Sequence, residues 1–100
     1  MKSEIYFYIL VRSWNAFQWF DQCIDSILMQ KNRNYTILFV DDASEYTTRQ
    51  QQHIKSKLKK HIVIFNTQRK FSIRNAYEMI HQYTKPGSII VNVDGDDWLI

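Results

Sequence analysis

Four apolar runs alternate along the chain with three stretches in which apolar residues recur at helical spacing. Ile5-Tyr6-Phe7-Tyr8-Ile9-Leu10-Val11 is apolar throughout, as expected of a strand covered on both faces. Phe17, Phe20, Ile24, Ile27 and Leu28 then repeat with helical period, with Asn15 placed to cap the helix and Gln18 to return a capping-box bond. Lys31-Asn32-Arg33-Asn34 reads as a polar turn, Thr36 to Val40 as the second strand, and Asp41 to Ser44 as its outgoing loop. A second helix, capped by Ser44 or Thr47, is expected to run to about Lys60 on a thin stripe of Ile54 and Leu58. His61 to Phe65 is the third strand, and Asn66 to Lys70 a polar connection. Ser72 is positioned to cap a third helix whose Ile73, Ala76, Tyr77 and Ile80 share one face. Pro86-Gly87 marks a turn, and Ser88 to Val93 is the fourth strand.

This β-α-β-α-β-α-β order predicts an α/β fold, a Rossmann-like parallel sheet with flanking helices. The expected spatial order of the strands is 3-2-1-4, which brings the exits of strands one, two and four to one edge. One hundred residues make a single domain, and with 45% hydrophobic residues they suffice for a core.

The net charge of +3 is mild and its excess is local, in Arg49, Lys55, Lys57, Lys59 and Lys60. Such a stretch reads first as a solvated helix face, and nucleic acid is not the expected partner. Cys23 is the only cysteine, so no internal disulfide forms. Among Phe20, Ile24 and Ile27 it reads as a buried thiol, and a reducing compartment, the cytoplasm, is the easier fit. Met1-Lys2-Ser3-Glu4 leads directly into the first strand without a signal-peptide pattern. No apolar run approaches the roughly 20 residues of a membrane span, so any membrane association would come from regions outside this sequence.

The chemistry lies in the acidic residues that follow two of the strands. Asp41-Asp42 leave the second, and Asp94-Gly95-Asp96-Asp97-Trp98 the fourth. Open α/β sheets bind ligands at the carboxyl ends of their strands. Carboxylates clustered there repel one another unless a positive charge joins them. A divalent cation carrying a nucleoside diphosphate suits the need, since hard cations take oxygen ligands from carboxylates and phosphates together. Ser13-Trp14-Asn15 leave the first strand on the same rim, and Arg74-Asn75 open the third helix nearby. Trp14 is placed either to stack on a base or to pack. His53, His61 and His81 show no metal-ligand spacing.

Taken together, these residues resemble the nucleotide-binding half of a family 2 glycosyltransferase of the GT-A fold. Arg12-Ser13-Trp14-Asn15 stands where the family has a Pro-Thr-Tyr-Asn-like turn, without the proline. Ser26-Ile27-Leu28-Met29-Gln30 is similar to its Ser-Leu-x-x-Gln phrase, and Val40-Asp41-Asp42-Ala43-Ser44 to its Val-Asp-Asp-x-Ser. Arg74-Asn75 matches its helix-opening Arg-Asn, and Asp94-Gly95-Asp96 its Asp-x-Asp. The glycine-rich approach to the Arg-Asn helix is replaced by Gln68-Arg69-Lys70-Phe71-Ser72.

The resemblance implies that Asp42 and Arg74 face the base, with Asp41 supporting the loop and Ser13 in the nucleotide-binding set. It also implies that Asp94 lies near the ribose and Asp96 binds Mn2+ or Mg2+ on the diphosphate. The implied donor is a nucleotide-diphospho-sugar, most commonly a uridine one, and the implied reaction an inverting transfer to an acceptor hydroxyl. In the family the general base comes from the acceptor half, so none is assigned here. Residues 1–100 are expected to be the donor-binding part of a longer enzyme, inactive as a transferase alone. Two other classes fit parts of the pattern: a receiver-like domain phosphorylated on Asp94, and a basic binding module built on Lys55 to Lys60.

Overall fold

A computed structural model of the chain describes residues 5–31 and 34–96. It comprises β1 (Phe7–Ser13), α1 (Phe17–Leu28), β2 (Tyr35–Asp41), α2 (Thr48–Lys57), β3 (Ile62–Phe65), α3 (Phe71–Tyr83) and β4 (Ile89–Asp94). The four strands are all parallel, in the spatial order β3-β2-β1-β4. This is the order that the alternation of elements and the two acidic exits predict.

Successive residues of a strand point to opposite faces, and both faces here are covered. On one side Ile9, Val11, Ile37, Phe39 and Val93 meet Phe20, Cys23, Ile24 and Ile27 of α1, with Ile54 of α2 and the following Leu58. On the other, Tyr8, Leu10, Leu38 and Val40 meet Met79 of α3. Each such side chain contributes about 1.5–3 kcal/mol when fully buried. The thin stripe of α2 suffices because Ile54 and Leu58 are both wholly buried. Cys23 is buried, as its neighbours predict.

The helix starts depart from expectation in instructive ways. Thr47 does cap α2: its Oγ1 accepts the Gln50 N–H at 3.1 Å, and Gln50 Oε1 accepts the Thr47 N–H at 3.0 Å. The helix ends at Lys57 rather than near Lys60, with Leu58 closing it. Asn15 does not cap α1. Its N–H donates to Ser44 Oγ at 2.7 Å, it takes a left-handed φ of 51°, and Ala16 becomes the cap residue without a side-chain bond. Ser72 lies inside α3, which begins at Phe71 after Lys70 and has no cap from its own segment.

The buried face of α3 is also rotated from the one expected. Asn75 and Met79 are buried, Ala76 packs at the side, and Ile73 and Tyr77 are exposed. Asn75 explains the rotation, because its Oδ1 accepts a hydrogen bond from Asn66 Nδ2 at 2.7 Å. Residues two apart on a helix point about 200° apart, so turning Asn75 inward turns Ile73 and Tyr77 out.

Strand register positions the site. Ser13 pairs with Asp41, and Arg12 with Asp94, so the three exits lie side by side. The sheet ladder continues one residue further at each. Asp42 N–H donates to Ser13 O at 2.9 Å, Gly95 N–H to Arg12 O at 2.8 Å, and Asn66 N–H to Asp41 O at 2.9 Å. Asp42, Gly95 and Asn66 are thereby held by sheet geometry although they stand outside the strands.

Candidate active site

At the carboxyl edge lies an open cleft of about 260 Å³, lined by Arg12, Ser13, Trp14, Ala16, Asp42, Arg69, Asn75, Asp94, Gly95 and Asp96. Of the residues expected at a nucleotide site, the structure brings Ser13, Asp42, Asp94 and Asp96 together around it. Asp41 and Arg74 lie elsewhere.

Asp41 sits beneath the rim, 1% exposed. Its carboxylate accepts the Ser44 N–H at 2.8 Å and the Ser44 hydroxyl at 2.7 Å. Ser44 Oγ in turn accepts the Asn15 N–H, so the β1 and β2 exits are tied together through Asp41. Burial pushes the Asp41 carboxyl above its usual value, opposed by the bonds from Ser44 and Tyr46. Asp41 thus braces the outgoing loop of β2 from beneath the cleft.

Asp42 is 4% exposed and has the denser set of partners. Oδ1 accepts the Lys70 N–H at 2.7 Å and Asn66 Nδ2 at 3.1 Å, while Oδ2 accepts the Phe71 N–H and Arg69 Nε, each at 2.9 Å. Burial would raise this carboxyl, but the donors from Lys70, Arg69, Asn66 and Asn75 outweigh it and hold it far below the usual carboxylate range. Asp42 thus satisfies two backbone donors at the start of α3, from 28 and 29 residues away in sequence. It is the cap that Ser72 was expected to supply.

Arg69 lines the cleft. Its guanidinium carbon lies 3.9 Å from the centre of the Trp14 ring and 4.5 Å from that of Phe71. Trp14 therefore packs against a cation. Arg74 is exposed on α3, with Nε 3.7 Å from Glu78, and borders a neighbouring groove with Phe71, Ile73 and Tyr77.

At the β4 exit, Asp94 lies 3.6 Å from Arg12 Nη2, and its side chain is 62% exposed. Asp96 is exposed at the rim. Gly95 between them fits for lack of a side chain: a Cβ there would lie 2.9 Å from Ser13 Cβ. Asp97 and Trp98 lie outside the described residues. Among those described, no group of three or more His, Cys, Asp or Glu side chains is arranged to hold a metal.

Backbone strain concentrates at this edge. Asn15, Ala43 and Phe71 have φ of 51°, 64° and 64°, and each belongs to a segment bordering the cleft or its supports. Outliers of this kind cost about 1–3 kcal/mol each and cluster at functional sites. The basic stretch of α2 is partly engaged within the fold: Lys57 bridges Asp21 and Asp25, and Lys55 lies over the Phe65 ring.

A parallel 3-2-1-4 sheet with acidic exits from β2 and β4 on one cleft is the arrangement the motifs implied. The family model described as Glycosyl transferase family 2 matches residues 8–100. The chain belongs to glycosyl transferase family 2. No match was found among curated proteins. Among solved structures, a mannosyltransferase from Pyrobaculum calidifontis, in complex with GDP-Man and Mn2+, is similar with a TM-score of 0.74 and 21% identity. The match covers 90% of this chain and 27% of that one, so the chain spans about a quarter of the length of that relative. At this identity the likeness shows the fold, the Rossmann-like part of GT-A. No helix among the described residues is long and apolar enough to cross a membrane.

The cleft lining also includes two residues that the sequence motifs do not single out, Arg12 and Arg69. Arg12 stands where the family turn has proline, the one charge at the end of an apolar strand, and that was its available signal. Arg69 had none, because its contacts join three separate exits.

Proposed function

We propose that the cleft binds the nucleotide-diphospho-sugar donor of a glycosyltransferase, with residues 1–100 forming the donor-binding part of the enzyme. The observation that carries this reading is the β4 exit, where Asp94 and Asp96 offer carboxylate oxygens, while Asp41 and Asp42 on the same edge are engaged internally. Exposed carboxylates fit a hard cation, and with two of them the remaining ligands would come from diphosphate and water. Asp96 is the proposed ligand of Mn2+ or Mg2+, and Asp94, beside Arg12, is proposed to face the ribose. When bound, the cation supplies charge neutralisation of the departing diphosphate.

The chain's own residues bind and orient. Ser13 and Gly95 form a close-packed floor, Asp42 holds the start of α3, and Arg12 adds positive charge where phosphates approach. The reaction proposed for the whole protein is inverting transfer of the sugar to an acceptor hydroxyl. No general base is assigned, because Asp42 is occupied by protein donors and Asp94 and Asp96 are assigned to the donor. The resemblance favours a uridine nucleotide, while the relative's guanosine donor makes GDP-mannose the second ligand to test.

Calorimetry of the folded protein provides the test. A UDP-sugar or GDP-mannose is expected to bind more tightly with Mn2+ than without it, and Asp96→Asn to remove most of the difference. Equal affinity with and without the cation would overturn the assignment of Asp96.

A further inference from the structure

Asp42 has no acceptor left for a ligand. An ionised carboxylate offers about four lone-pair sites. Here four donors occupy them: Asn66 Nδ2, Arg69 Nε and the N–H groups of Lys70 and Phe71. A base N–H could reach this carboxylate only by displacing a donor from a residue that is 4% exposed. Arg74 does not border the cleft, and it faces Glu78. Both groups implied for base contact are thus unavailable in this geometry.

Arg69 is available. Asp42 engages only its Nε, and among the described residues its two Nη groups have no protein partner. The guanidinium is immobilised from three directions, by the Asp42 carboxylate and by the rings of Trp14 and Phe71. Phe71 keeps a left-handed φ of 64°, a conformation unusual for a bulky residue, while donating its N–H to Asp42. A strained residue and a buried carboxylate therefore combine to hold one donor fork in the lining of the cleft.

We infer that Arg69 is the base-reading residue of the site, presenting its Nη fork to carbonyl oxygens of the nucleotide base, and that Asp42 is a positioning residue acting through it. The inference rests on the donor-site reading above. The fork only donates, so it suits bases whose edge carries keto oxygens, uracil and guanine, with guanine O6 and N7 able to take both Nη groups. Adenine and cytosine place an amino donor on the corresponding edge and are disfavoured.

The experiment is calorimetric titration of the folded protein with GDP, UDP, ADP and CDP in the presence of Mn2+. The expected result is a preference of about tenfold or more for the keto-base nucleotides. In Arg69→Lys, which keeps the charge and loses the planar fork, the preference is expected to collapse towards unity. Arg74→Ala is expected to retain the preference. Wild-type protein that binds all four equally would overturn the inference, and this arm holds even if Arg69→Lys fails to fold. So would an Arg69→Lys variant with unchanged preference, or an Arg74→Ala variant that loses it. Folded wild-type protein that binds none of the four would overturn the donor-site reading itself, a failure distinct from the others.

Discussion

Two acidic motifs leave β2 and β4, the strands on either side of β1, and their carboxylates live in opposite conditions. At the β2 exit Asp41 and Asp42 are buried, and every oxygen accepts from the protein. At the β4 exit Asp94 and Asp96 are exposed, with Arg12 the close cation. The first pair builds the rim, and the second is left with acceptors for a ligand. Acidic residues at strand ends are therefore not equivalent as site candidates. What separates them is the number of fixed donors that the surrounding backbone directs at each.

Within the β2 pair the two neighbours also diverge, since Asp42 is driven to ionise and Asp41 is disfavoured as an ion. Asp42→Asn is the substitution expected to do most harm. An amide NH2 would face a backbone N–H of Lys70 or Phe71, which cannot reverse its direction, and Arg69 would lose its charge partner. A loss of about 3 kcal/mol is expected, read from the urea midpoint. Asp41→Asn should cost less, about 1 kcal/mol, because the Ser44 hydroxyl can rotate to suit the amide. Equal losses would show that the two carboxylates are not distinguished in the way described.

The β4 exit is vulnerable through shape instead of charge. Gly95→Ala would bring a Cβ to 2.9 Å from Ser13 Cβ, with backbone atoms also close at 3.1 Å. Overpacking of this kind costs about 1–3 kcal/mol. Pairing it with Ser13→Gly removes two of the three close contacts, so the double variant is expected to recover part of the loss. A double-mutant cycle of denaturation midpoints checks this, and strictly additive losses would contradict a direct Ser13–Gly95 contact.

The smallest expected effect lies away from the cleft. His61 Nδ1 accepts the Ile37 N–H at 2.9 Å, and burial lowers the affinity of the ring for a proton below its usual value of 6.5. The folded state thus prefers the neutral ring. This contribution to stability is complete above the unfolded value and is lost as pH falls through the folded one. Thermal melts between pH 7.5 and 5 should show a slight decline that His61→Asn, an uncharged residue able to accept the same bond, does not share.

Much of the fold was legible in the residues. The uninterrupted apolar run of β1 announced a strand with two covered faces, and the alternation of elements announced a parallel sheet. Of the two cap candidates for α2, Ser44 and Thr47, it is Thr47 that forms the cap. The helix starts at the rim depart from their local pattern for a shared reason. Asn15 looked like a cap and is drawn to Ser44, and Ser72 looked like a cap where Asp42 serves. Local propensity describes a segment by itself, and at a sheet edge each segment has neighbours from distant parts of the chain that compete for its donors.

The same distinction separates what the sequence determined from what the tertiary structure decided. Hydrophobic period, strand order and the presence of acids at two exits follow from the linear order of residues, because burial and chain connectivity act on patterns that can be read along it. Which acid has acceptors to offer, which arginine enters the cleft, and which face of α3 turns inward depend on hydrogen bonds spanning up to 29 residues. A carboxylate has a limited number of lone pairs, and only the packed molecule shows which donors have already reached them.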